Sequence, residues 1–457
     1  MAAADLLEQL RQAVGKDHVF DGADSALLAG PAWGRLGQPL AGVRPGSADE
    51  VSAVVKIAAA AGVPVVPWGG RTGLVDGCRA DGALALSLER MRDIEDIDTA
   101  CGTMTVEAGC VVEAAADAAE KAGLFLPLDL GSRGSATIGG VISTNAGGNR
   151  VLRYGMTRDM VLGLEAVLAD GQVVSAMNHL IKNNAGYDIK QLFIGTEGTL
   201  GIVTRAVLRL RPAPLSQMTA FLGVGRFADL SPLLRHLERG LGGQLSAFEV
   251  MWPEFHRLVT TPPAQGRPVL AGEHAFYVLV EALGGDRAAD EARFEAALHQ
   301  ALEGGLIEDA VLAKSQAERD RMWALRDDVR QTGRDGPIMA FDVSLPVSAM
   351  ETYVARVRDG LAAHWPDPRL TVFGHLGDGN LHVIAGVPEP EDREAVEEIV
   401  YSALPRLTGS ISAEHGIGLQ KKAHLSQSRT APEIALMRRL KDALDPTGLF
   451  NPGKVLT

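Results

Sequence analysis

The stretch VFGHLGDGNLHVIAG, residues 372–386, carries two histidines, His375 and His382, on either side of a Gly-Asp-Gly turn. TVF and LHVIAG have the apolar, β-branched character of strands, and GDGN is a turn because glycine adopts positive φ without a Cβ clash. The segment is expected to run strand, tight loop, strand, with His375 at the end of the first and His382 near the start of the second. Both ring nitrogens then come within reach of one point. Two imidazoles with one carboxylate form a common zinc site, so a third ligand has to come from elsewhere in the chain. The alternative is that each histidine packs and hydrogen-bonds locally.

A second chemistry lies in three glycine-rich stretches: PWGGRTGLVDG (67–77), PLDLGSRGSATIGGVISTNAGGN (127–149) and GTEGTLGIVT (195–204). Such loops let backbone N–H groups approach a pyrophosphate or a flat ring, with serine and threonine hydroxyls as further donors. Residues 127–149 have little to bury, so they suit backbone lying against a ligand better than core. No stretch fits GxxxxGK[ST], and no GxGxxG links a strand to a helix, which disfavours a P-loop or a Rossmann site.

The elements that must position these groups fall into two textures. Residues 41–212 alternate short strands and helices: EVSAVVKIAAAAG is a helix closed by Gly62, VPVVPWGG a buried strand entering a glycine turn, and VVEAAADAAEKAG a helix closed by Gly123. MVLGLEAVLADGQVV reads as two strands joined by an Asp-Gly hairpin turn. From about 217 the chain turns to longer amphipathic helices and strands such as HAFYVLVEAL, the pattern of a second, α+β domain reaching about residue 425. PEIALMRRLKDALDPTGLFNPGKVL is a helix, a turn and an extended tail. The expected division is 1–214, 215–425 and 426–457, with no internal repeat.

Composition narrows the class. A chain of 457 residues exceeds one ordinary core, and 46% hydrophobic with 22% charged residues is typical of a globular protein. Its net charge of -13 (44 basic against 57 acidic residues), without a basic stripe, makes nucleic acid an unlikely partner class. Cys78, Cys101 and Cys110 are odd in number and form no CxxC pair, which points away from a disulfide framework and toward a reducing compartment. MAAADLLEQLRQAVG lacks the basic start and apolar centre of a signal peptide, and no apolar run approaches the ~18 residues of a membrane span. A cytoplasmic location is expected.

Taken in this order, the three glycine stretches, YGMTRDMVLGLEAVLADG, HLGDGNLH, SAEHGIG and DPTGLFNPGKVL resemble the vanillyl-alcohol oxidase type of flavoproteins, and within it the D-2-hydroxyacid dehydrogenase branch that includes D-lactate and D-2-hydroxyglutarate dehydrogenases. The likeness runs from about residue 40 to the C-terminus. It implies an α+β fold: a two-part FAD-binding domain, an α+β substrate (cap) domain and a C-terminal helical segment. By the resemblance, Pro67, Gly69, Gly70, Arg71, Thr72, Gly73 and Leu74 cradle the FAD pyrophosphate. Pro127, Leu128, Asp129, Gly131, Ser132, Thr137, Gly139, Gly140, Thr144, Asn145, Ala146, Gly147, Gly148 and Tyr154 surround the flavin and its chain, and Glu197, Gly198, Gly201, Ile202 and Asn451 meet the adenine and ribose end. Relatives with covalent flavin often place a histidine in the first loop. Here it holds Trp68 and Arg71, which implies non-covalent FAD.

The same resemblance supplies the third metal ligand. In GSISAEHGIG (409–418), a strand end turning into glycines, Glu414 would join His375 and His382 around zinc or manganese, and the adjacent His415 would be the base. Such a cation acidifies a bound hydroxyl toward the range of histidine, as it does bound water. Asn380 is a candidate for hydrogen-bonding the substrate. Trp323 and Arg326 share a helix face at i, i+3, and Arg326 falls where the family binds the substrate carboxylate. The family's lysine before YDLSLP is replaced here by Ala340 and Phe341, which favours a monocarboxylic or aromatic D-2-hydroxy acid (D-lactate or a D-mandelate-like acid) over D-2-hydroxyglutarate unless Arg330 compensates. The implied partners are the hydroxy acid and an electron carrier such as electron-transfer flavoprotein or a quinone, with a homodimer as the candidate assembly. Three readings compete: an oxygen-dependent oxidase on the same fold, a flavin-free metallohydrolase, and a non-catalytic FAD-binding module.

Overall fold

The computed structural model describes residues 3–22, 24, 32, 34–387, 392–406 and 408–456. The chain folds into two compact units: residues 1–148, 155–213 and 414–457 form the first, and 149–154 with 214–413 form the second. The first unit therefore resumes at Glu414 rather than at residue 426, and it yields a short internal segment to the second.

In the first unit a four-stranded sheet runs in the order Val19–Asp21, Ala41–Val43, Leu84–Ser87, Val65–Trp68. The last three strands are parallel, as buried strands flanked by helices tend to be. The helix Ala48–Ala61 starts on Ser47, whose hydroxyl accepts from Glu50 N, and stops at Gly62 in the left-handed conformation. Beside Val65 the C-terminal segment adds a parallel bridge from Phe450, and Asn451 N donates to Val65 O at 2.8 Å. A second sheet of five antiparallel strands has the order Ile94–Asp98, Thr103–Glu107, Ile202–Arg209, Val161–Val167, Val173–Ala176. Its last two strands are joined across Asp170-Gly171, with Gly171 at φ 80.

The second unit is built on one antiparallel sheet of seven strands, ordered Asp309–Leu312, Ser216–Val224, Phe276–Gly284, Leu245–Met251, Arg369–Gly374, Asn380–Gly386, Met339–Ser344. Helices such as Phe227–Gly240, Pro253–Thr260, Gln316–Asp327 and Val347–His364 cover it. Phe221, Met251, Phe255, Tyr277, Met322 and Phe373 form one of its cores, with the rings of Phe255 and Phe373 stacked at 4.1 Å.

Residues 149–154 belong here because of two arginines. Arg150 Nε lies 3.2 Å from Glu281, a fully buried carboxylate that also receives Gln217, Ser246 and Trp323. Arg153 donates to the carbonyls of Gln244 and Leu283, and its guanidinium lies over the ring of Tyr154. No helix among the described residues is long and apolar enough to cross a membrane. Removing one partner of a buried ion pair leaves an uncompensated charge, so Arg150→Met is expected to cost about 3 kcal/mol in a urea unfolding titration. A loss below about 1 kcal/mol would show that the neutral donors alone satisfy Glu281.

Candidate functional site

The first unit builds its site from backbone. Thr137 caps the short helix Ile138–Thr144 through Gly140 N, and Asn145 ends it in the left-handed conformation. Gly69 and Gly70 have no room for a Cβ: it would run into Thr137 Oγ1 at the first and into the Ser135 carbonyl at the second. The first glycine loop thus lies directly on the second. Gly73 and Gly131 are the opposite case, since a Cβ there would meet nothing within 4 Å. These two glycines border open space.

That space is a cavity lined by the three glycine loops, by Asn451 from the C-terminal segment, and by Glu414 and His415. Trp68, Cys78 and Ser143 line it as well, without having been expected. Three non-glycine residues that line it sit at positive φ: Arg71 (56), Glu197 (54) and Asn451 (42). Each such conformation costs on the order of 1 kcal/mol or more, a strain that persists only where the surroundings enforce it.

Most of the expected cofactor residues line this cavity, and six do not. Leu128 is core, and Pro127 is buried beside it. Asp129 pairs with Arg133 at 2.8 Å. Asn145 is spent on its helix end, where Oδ1 accepts from Arg158 N. Gly148 donates its N–H to Glu414 Oε1 at 2.6 Å, which fixes the carboxylate through backbone. Tyr154 belongs to the second unit.

Glu197, expected at an adenine or ribose end, has a structural task as well. It lines the cavity, but its two carboxylate oxygens accept the N–H groups of Ile417 and Gly418 at 2.7 and 2.8 Å, so it docks the loop that follows His415. Burial raises its pKa against the opposing pull of these two amides and of Lys421. Asn451 donates from Nδ2 to the carbonyls of Gly77 and Glu197, while its buried Oδ1 has no hydrogen-bond partner among the described residues.

An open cavity bordered by side-chain-free backbone, with a buried acceptor waiting for a donor, fits a group such as FAD, which brings phosphates, hydroxyls and an amino group. Burial pushes the Cys78 thiol up to about 11, so the cysteine bordering the cavity is a neutral thiol rather than a thiolate.

The second unit builds its site from side chains. Arg369–Gly374 and Asn380–Gly386 pair antiparallel, joined by the turn Leu376–Asp378 with Gly379 at φ 88. His375 follows the first strand and His382 lies in the second, with ring centroids 5.4 Å apart. Two buried acids stand behind them. Glu249, inside the strand Leu245–Met251, receives His375 Nδ1 at 2.7 Å and Arg326 Nε at 2.8 Å. Burial alone would raise its pKa, but the electrostatic pull of His375 and Arg326 and their hydrogen bonds outweigh that and hold it low.

Asp342 pairs with His382 across the ladder, its Oδ1 3.8 Å from Nδ1, and accepts from Asn380 Nδ2 at 2.8 Å and Ala413 N at 3.0 Å. Both Asn380 Nδ2 partners are oxygens, so the amide orientation follows from the network, and its buried Oδ1 is without a hydrogen-bond partner among the described residues. Arg326 is buried at 4% exposure, with its guanidinium 4.9 Å from the Phe373 ring, whereas Arg330 is exposed. Neither acid was anticipated. The signal available for both was a single charge inside an otherwise apolar strand, LSAFEVM and MAFDVS.

Comparison with known proteins defines the class. Residues 39–176 match the FAD binding domain family and residues 213–455 match the family of FAD linked oxidases, C-terminal domain. The chain superposes on p-cresol methylhydroxylase with a TM-score of 0.78, at 16% identity over 99% of this chain and 96% of the other. It superposes on 4-ethylphenol oxidase from Gulosibacter chungangensis with a TM-score of 0.75, at 18% identity over 99% and 97%. The fold is therefore that of the vanillyl-alcohol oxidase type, and the protein is an FAD-dependent dehydrogenase.

Relatives narrow this. A D-2-hydroxyglutarate dehydrogenase of Xanthomonas citri pv. viticola is 42% identical over 425 residues, covering 91% of this chain and 89% of its own length. The mitochondrial D-2-hydroxyglutarate dehydrogenase of Bos taurus is 40% identical over 91% of this chain and 76% of its own, and a D-2-hydroxyglutarate dehydrogenase of Stutzerimonas stutzeri is 35% identical over 98% of both. The chain belongs to the FAD-dependent D-2-hydroxyacid dehydrogenases.

Gly70→Ala should force the first loop off the second. The purified variant is expected to lose most of its flavin, read as absorbance near 450 nm against 280 nm, while circular dichroism shows it folded. Full flavin content would mean that the loop contact does not shape the cofactor site.

Proposed function

We propose that this protein oxidises D-2-hydroxyglutarate to the 2-oxo acid with non-covalently held FAD and a divalent cation, zinc or manganese, as its resident groups. The observation that carries the reading is the pair His375 and His382 beside a buried arginine, in a chain whose relatives are named for that substrate. FAD, when bound along the glycine loops, supplies the acceptor for the two electrons and hydrogen that leave C2. The cation would be held by His375, His382 and Glu414 and would supply the positive charge that acidifies the C2 hydroxyl.

The remaining work falls to the chain. Arg326 presents to the C1 carboxylate the N–H groups that are not turned to Glu249 Oε2 or His375 Nε2, and a charge-assisted contact of this kind contributes about 1.5 to 3 kcal/mol. His415 takes the hydroxyl proton at an imidazole nitrogen as C2 gives up its hydride, which leaves the 2-oxo acid. Asn380 Oδ1 accepts from a substrate hydroxyl, which would satisfy its unused acceptor capacity. Arg330 receives the distal carboxylate. Support for non-covalent FAD is the absence of histidine from residues 67–77 together with the neutral thiol of Cys78. Electrons leave to a carrier such as electron-transfer flavoprotein or a quinone.

One observation favours a second reading. Ala340 is exposed and Phe341 buried, and neither offers charge where the resemblance implies a lysine, so a monocarboxylic D-2-hydroxy acid is the alternative substrate. Dye reduction with D-2-hydroxyglutarate, D-malate, D-lactate and D-mandelate decides between them. Arg330→Met is expected to raise KM for D-2-hydroxyglutarate at least tenfold and leave that for D-lactate unchanged. Preference for D-lactate or D-mandelate in the unaltered protein would overturn the dicarboxylate reading.

Two treatments test the resident groups. Acid precipitation should release all flavin into the supernatant, and yellow protein in the pellet would contradict non-covalent binding. Dialysis against a chelator should abolish turnover without bleaching the protein, and zinc or manganese should restore it. Full activity after exhaustive chelation would exclude the metal.

A further inference from the structure

We propose that Glu249 is a positioning residue: it fixes His375 in the Nδ1–H tautomer and, with its other oxygen, ties that imidazole to Arg326. The inference rests on the metal reading given above.

The argument is one of donors and acceptors. Glu249 is 1% exposed, with Oε1 2.7 Å from His375 Nδ1 and Oε2 2.8 Å from Arg326 Nε. Arg326 is always a donor, and an ionised carboxylate only accepts, so the nitrogen facing Oε1 must carry hydrogen. In a neutral imidazole the proton on Nδ1 leaves Nε2 with its lone pair, which is the state a cation requires. The tautomer of His375 is thus set by a short carboxylate contact. Because the same anion grips Arg326, a change that frees the imidazole also frees the guanidinium expected to orient the substrate.

Glu249→Gln keeps the shape but offers one acceptor and one donor. If the amide oxygen faces Arg326, its NH2 faces His375 Nδ1 and drives the proton to Nε2, which blocks the ligand atom. The expected result is a 10- to 100-fold weaker zinc affinity, measured by competition with a chromophoric chelator, together with a KM for the 2-hydroxy acid raised at least tenfold and an unchanged flavin content. Arg326→Gln removes the guanidinium from Glu249 Oε2 and from its 3.4 Å approach to His375 Nε2 but leaves the Glu249–His375 contact in place, so it should raise KM without weakening zinc affinity more than threefold. Zinc affinity of Glu249→Gln within threefold of the unaltered protein would overturn the proposal.

Should Glu249→Gln fail to fold, long-range 15N–1H correlation on histidine-labelled, metal-free protein of unaltered sequence decides. A His375 signal with hydrogen on Nδ1 supports the assignment, and hydrogen on Nε2 refutes it. Zinc uptake unaffected by His375→Gln would count against the metal reading, whereas the tautomer spectrum reports on Glu249 separately.

Discussion

A single buried carboxylate, Glu249, carries the architecture of the second unit's site. An anion enclosed in a seven-stranded sheet is costly unless its lone pairs are filled, and here a guanidinium and an imidazole fill them. The pair is better understood as an arrangement that specifies one geometry than as a source of net stability, because buried ion pairs roughly break even against apolar packing. What it secures is direction. Arg326 and His375 enter from a helix and from a hairpin, and both are aimed by the strand Leu245–Met251 lying between Phe276–Gly284 and Arg369–Gly374.

The first unit solves its problem by a different route. Its cavity is shaped by the omission of side chains, by loops whose glycines either press on neighbouring backbone or open onto space, and by three lining residues held at positive φ. Main-chain donors have few ways to rearrange, and N–H groups turned to a cavity favour negatively charged groups such as phosphates. Glu197 and Gly148 extend the logic to the loop of Glu414 and His415, since backbone amides and a carboxylate pin Glu414 and the residues after His415. The cavity of the first unit is made of frame and the buried cluster of the second of side chains.

Much of this was legible in the residues. The Gly-Asp-Gly hairpin with its two histidines, the Asp-Gly hairpin at 170–171 and the helix stops at Gly62 and Gly123 rest on local turn chemistry, which a sequence displays directly. Glu249 was not legible, because its partners lie 126 and 77 residues away and only the sheet brings them together. Asp342 escaped for the same reason, hidden in a strand that reads as apolar. Glu197 lines the cavity as the resemblance implies, but its second task was not legible, because the amides its carboxylate accepts lie 220 and 221 residues further on. The boundary near residue 425 rested on texture, while the contacts that return the chain to the first unit begin at Glu414.

The allocation of residues 149–154 has a consequence for how such a protein could be taken apart or assembled in evolution. The polypeptide passes from one unit to the other four times, after residues 148, 154, 213 and 413, so no single cut separates them. A fragment beginning near Pro214 would carry Glu281 into its interior and leave Arg150, the cation that neutralises it, behind on the other piece. Shuffling either half into a new protein would have to transplant this six-residue inlay as well, which makes the two halves inseparable by recombination at one boundary and favours their inheritance as one gene segment.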